Sequence, residues 1–66
     1  MFTPSYMSLE EAEKVLASVR DDLYPPTNPI VLLRAALTLR WEHHRSQEAL
    51  EVLRWMFVVE QAHEVN

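Results

Sequence analysis

Apolar residues recur along the chain in three segments, each with a helical period. In the first, Leu9, Ala12, Leu16, Val19 and Leu23, with Val15 beside them, stand three or four residues apart and leave Glu10, Glu11, Glu13, Lys14 and Arg20 outside. This pattern predicts an ordinary one-faced amphipathic helix. The second segment differs: Ile30 to Leu33, Ala35 to Leu37, Leu39 and Trp41 leave only Arg34, Thr38, Glu42 and Arg45 as a polar line. One apolar stripe runs through Ile30, Leu33, Leu37, Trp41 and His44, and a second through Leu32, Leu39 and His43. The third segment repeats the excess, with Ala49, Leu50, Val52, Leu53, Trp55 to Val59 and Ala62 set against Gln47, Glu51, Arg54 and Gln61. A helix this apolar around its girth needs neighbours on more than one side.

Local signals punctuate these periods. Ser8 and Glu11 make the S-x-x-E capping box, so a helix should begin there. Pro25 and Pro26 stop it, and Asn28 before Pro29 places an N-cap ahead of a proline suited to the first helical position. Ser46, followed by Glu48, is a candidate N-cap for the third helix, and His43, His44 and Arg45 suit the carbonyl-rich end of the second. The expected architecture is all-α: one domain, residues 1–66, with a tail at 1–7 that frays or lays Phe2 and Tyr6 on the body, and helices over about 8–24, 29–44 and 46–64. The second and third helices would form an antiparallel hairpin with the first packed across it. The chain has no glycine to end a helix, so the alternative is a short helix followed by one of about 37 residues and ~55 Å in an intertwined dimer.

Size turns this pattern into a case for association. Folding a chain of 66 residues hides only about 60% of its extended surface. At about 25 cal/mol/Å², about 4000 Å² of apolar burial supplies roughly 100 kcal/mol, and ordering the chain costs roughly the same. With no cysteine, neither disulfides nor thiolate metal sites can add to this. Three packed helices touch one another over roughly half their circumference, so part of the apolar surface of helices two and three should stay open. The expected partner interface is Leu32, Leu39 and Trp41 with Arg54, Trp55, Met56, Val58 and Val59. Arg40 and Arg54, each beside a tryptophan, fit rim or cation–π roles. A two-fold homodimer is the first expectation. A different protein is the other, the chain then serving as a small adaptor, chaperone or inhibitor whose acidic first helix steers it toward basic surfaces.

Charge and motifs argue against other classes. The net charge is −4, and residues 28–66 hold four basic groups against five acidic, which is not the basic footprint of phosphate-backbone binding. The competing reading is a small helix-turn-helix DNA-binding regulator with residues 46–60 in the major groove, where Gln47 and Arg54 would read bases but Glu48 and Glu51 would repel phosphate. His43 and His44 point about 100° apart on a helix and do not converge on one metal. Glu60-x-x-His63 has the spacing of a di-iron ligand pair but lies at the chain's end without the further buried carboxylates such a site uses. Without glycine there is no phosphate-binding loop or dinucleotide signature. No catalytic residue, cofactor or metal is expected. The absence of cysteine and of an N-terminal signal suits the cytoplasm, and no apolar run reaches the ~20 residues of a membrane span. The segment from Ile30 to Met56 resembles a tetratricopeptide-type helix pair in placing Ala49 where such repeats carry a small residue. Leu37 and Arg40 stand where that pattern has glycine and an aromatic, so no family is assigned.

Overall fold

The computed structural model describes residues 6–21 and 23–64, apart from the side chains of residues 63 and 64. Three helices form within them: α1 (Leu9–Asp21), α2 (Pro29–Leu37), which continues into a π-helical turn at Thr38–Glu42, and α3 (Ser46–Glu64). No strand occurs among the described residues, and no helix among them is long and apolar enough to cross a membrane.

The caps follow the side-chain chemistry. Ser8 accepts from the Glu11 N–H at 3.2 Å, and its hydroxyl donates to the Glu11 carboxylate at 3.1 Å, so the reciprocal contact is side chain to side chain. Asn28 Oδ1 accepts from the Ile30 N–H at 2.9 Å, with Pro29 opening α2. α1 ends earlier than its periodicity implies. Leu23, on the apolar stripe by spacing, is instead 88% exposed, as is Tyr24, because the helix stops at Asp21 and the approach to Pro25 and Pro26 takes the chain out of the α region. The expected Phe2 contact lies outside the described residues. Tyr6 is half exposed and Met7 packs against the core.

The chain breaks between α2 and α3. The π turn closes with the Arg45 N–H donating to the Leu39 carbonyl at 2.7 Å, and His44 adopts φ 57°. That left-handed conformation cannot belong to a right-handed helix, so residues 38–46 turn a corner instead of extending α2. A histidine takes the position that glycine commonly fills. Arg45 fixes the corner: Nε and Nη2 donate to Glu48 at 3.1 and 2.9 Å, and Nη1 donates to Glu13 on α1 at 2.8 Å.

Small residues set the packing. Ala12 and Leu16 of α1 meet Leu32, Ala35, Ala36 and Leu39 of α2 and its turn, together with Ala49 and Val52 of α3. Alanines on all three helices let the backbones approach closely, which suits a core too small for large side chains. Thr38, fully buried, accepts from the Met7 N–H at 2.9 Å and donates to the Met7 carbonyl at 3.3 Å, tying the chain ahead of α1 to the π turn. α1 contacts both other helices, and the described chain measures 35 × 33 × 17 Å.

Candidate protein-binding face

The residues expected in the interface divide by position. Leu32, Leu39 and Val59 are interior, a correction to the expected set with a simple cause: they share the side of their helices that carries Ala35, Ala36, Ala49 and Val52 and faces α1 and the core. Trp55 and Met56 are half buried against that core, and Trp55 donates its indole N–H to the Pro26 carbonyl at 2.6 Å, pinning the segment that leads into α2. Trp41, Arg54 and Val58 are exposed. Val58 lies about 40° from Arg54 on α3 but about 100° round from Phe57, off the Leu50–Leu53–Phe57 row.

Trp41 of the expected set stands instead with apolar residues that the set omitted. Leu50, Leu53 and Phe57 fall within about 60° on α3, and Ile30, Leu33, Leu37 and Trp41 follow one another along α2. Phe57 is 67% exposed, Trp41 59% and Leu50 45%. Between the two rows runs a cleft of about 480 Å³ whose walls include Leu33, Leu37 and Trp41 on one side and Ala49, Leu50 and Leu53 on the other. A second hollow of about 230 Å³ lies between Thr27 and Pro29 and the Met56, Val59 and Glu60 positions. Neither hollow is lined by α1. The stripe Ile30–Leu33–Leu37–Trp41 was legible in the sequence, and its mate at Leu50, Leu53 and Phe57 has the i, i+3, i+7 signal of a helix face.

The π turn carries the row to its end. In a regular α-helix Trp41 would lie about 40° round from Leu37, and the wider turn at Thr38–Glu42 reduces that offset, bringing Trp41 over the cleft. Arg40, at the same end, holds its guanidinium carbon 5.4 Å from the Trp41 ring centroid, a cation–π contact that leaves most of the indole open to solvent.

Charged groups tie α1 to α3 and to the corner. Arg20 donates from Nε and Nη2 to both oxygens of Glu51 at 2.6 Å, a bidentate clamp between α1 and α3. Hydrogen bonding to Arg20 holds the Glu51 carboxyl below its ordinary range, against a smaller desolvation effect, and Arg20 is raised in turn. Arg45 is raised by its hydrogen bonds to Glu13 and then Glu48. Glu48 and Glu51, the acids that weigh against α3 as a DNA-reading helix, are thus engaged by arginines at α1 and the corner. His43 and His44 are exposed at the bend, and the side chain of His63 lies outside the described residues. Among the described residues no three His, Asp or Glu side chains converge as a metal site. Comparison with protein-family models, curated proteins and solved structures finds no match to this chain.

Proposed function

We propose that the chain is a non-enzymatic protein–protein interaction module, in which α2 and α3 form an antiparallel hairpin whose open face binds a protein, a second copy or another chain, while α1 braces the back. One observation carries this reading: the row of large apolar side chains, Trp41, Leu50 and Phe57, stands in solvent around a cleft that no part of α1 covers. The order of the walls supports the hairpin, since Trp41 lines the cleft with Ser46, and Pro29 lines the second hollow with Met56 at the far end. Tryptophan, phenylalanine and arginine are the residue types that dominate association energy. The adaptor, chaperone and inhibitor roles all use such a surface, and the chemistry common to them is burial of this face.

The test is photo-cross-linking in cells from a benzophenone amino acid placed at position 57, with the same group at Glu10 on the outside of α1 as reference. Cross-linked protein, to itself or to another chain, in clear excess at position 57 supports the reading. Equal or absent products at the two positions would overturn it.

A further inference from the structure

The two ends of this face carry opposite charge. Arg40 lines the cleft at the corner end, and Glu60, exposed and two turns beyond Leu53 on the same side of α3, stands at the open end. Building on the interaction reading, we propose that the occupant is a second copy of this chain, stacked face to face about a two-fold axis that lies in the contact plane and runs across the helices. That operation lays the corner end of each copy over the open end of the other. Arg40 then meets the second copy's Glu60 twice over, and each Trp41 packs on the open end of the second copy's α2–α3 face.

Two further observations favour this occupant over a single bound helix. The face is two helices wide, about 20 Å, and α2 with its π turn is about 20 Å long, so one docked helix about 10 Å wide would leave Trp41 or Phe57 in water, whereas a second pair covers both rows. The acidic groups Glu10, Glu11 and Glu13 sit on α1, which lines neither the cleft nor the hollow. Stacking through the α2–α3 face keeps them on the outside of the pair and apart, so a net charge of −4 per copy opposes association little. Two copies together would bury on the order of 1,000 Å², at the lower end of specific interfaces, where weak and transient associations lie.

The test is sedimentation equilibrium of the full chain and of Trp41→Ala, Arg40→Glu, Glu60→Arg and the double reversal, with helix content followed by circular dichroism. All three positions are exposed, so the fold should survive each change. A micromolar dimer that is lost in Trp41→Ala, weakened about tenfold by either single reversal and restored by the double reversal supports the proposal. A chain that stays monomeric to about millimolar concentration overturns it, as does a dimer indifferent to the reversals or not restored by their combination. A monomer that still cross-links through position 57 to another protein overturns the second copy and keeps the interaction reading. Absence of that cross-link removes both.

Discussion

Replacing His44 with glycine should make the protein more stable, and the sign of the effect tests the corner directly. His44 sits at φ 57°, where a Cβ crowds the neighbouring carbonyl at a cost of about 1–2 kcal/mol. Glycine removes that cost but adds freedom to the unfolded chain worth about 0.5–1 kcal/mol, leaving a net gain of roughly 0.5–1 kcal/mol. A chain of 66 residues unfolds with an entropy of about 140 cal/mol/K, so the gain corresponds to a Tm about 4–7 °C higher. The assay is thermal unfolding by far-UV circular dichroism at one fixed concentration, since association alone shifts Tm. His43→Gly is the control: at φ −126° its backbone is unstrained, so glycine there should lower Tm by a similar amount. If residues 29–64 instead formed one straight helix, His44→Gly would cost about 0.3–0.5 kcal/mol as an interior helical glycine in place of a histidine. A fall in Tm for His44→Gly would therefore refute the corner and with it the one-sided face.

Three other perturbations probe the ties around the core. Thr38→Val keeps the shape but removes both bonds to Met7, leaving its part-buried N–H and carbonyl without partners, and should cost about 1–2 kcal/mol in denaturant unfolding; no loss would mean the segment ahead of α1 is not docked. Trp55→Phe keeps the ring but not the bond to Pro26, so a loss of about 1 kcal/mol is expected, with faster amide exchange at the start of α2 as its local sign. The Glu51 carboxyl is held below its ordinary value of 4.5, so the Arg20 clamp stabilises fully above that pH and its contribution fades as pH falls below it. Glu51→Gln should flatten that part of the acid-unfolding curve, and an unchanged curve would show that the clamp contributes nothing in solution.

How much of this could be read from the sequence depended on whether the signal was local. The starts of α1 and α2 rest on a side chain meeting a nearby amide, and Ser8 and Asn28 with Pro29 mark them where the structure has them, whereas Ser46 is the first residue of α3 and not its cap, the Ala49 N–H donating to the Arg45 carbonyl. The end of α1 was less legible, because the apolar period runs on to Leu23 while the two prolines act backwards on the chain before them. The π turn left no trace in the pattern of residue types. Periodicity does not mark which apolar side of the second segment is interior. Leu32 and Leu39 read as surplus because hydrophobicity is equal on both sides of the second segment. The neighbouring alanines hold the missing information: close helix approach selects the side with Ala35 and Ala36 and leaves the bulkier Leu33, Leu37 and Trp41 outside.

That division implies that stability and association should respond to different residues. Leu32 is fully buried, so Leu32→Ala should cost about 2–5 kcal/mol, a large share of the roughly 3–10 kcal/mol available to a chain this small. Phe57, at 67% exposure, has few contacts to lose within the monomer, and Phe57→Ala should change monomer stability by no more than about 0.5 kcal/mol. In an interface the order reverses: removing a central aromatic costs more than about 1 kcal/mol, at least a fivefold weakening of binding. Unfolding measured at concentrations where the chain is monomeric, alongside sedimentation of the same variants, separates the two effects. If Phe57→Ala lowered monomer stability as much as Leu32→Ala does, the α2–α3 face would be part of the core and the case for an external partner would fail. If it left both stability and association unchanged, the exposed row would be ordinary solvated surface. A stable monomer that no longer associates is the result this division of residues requires.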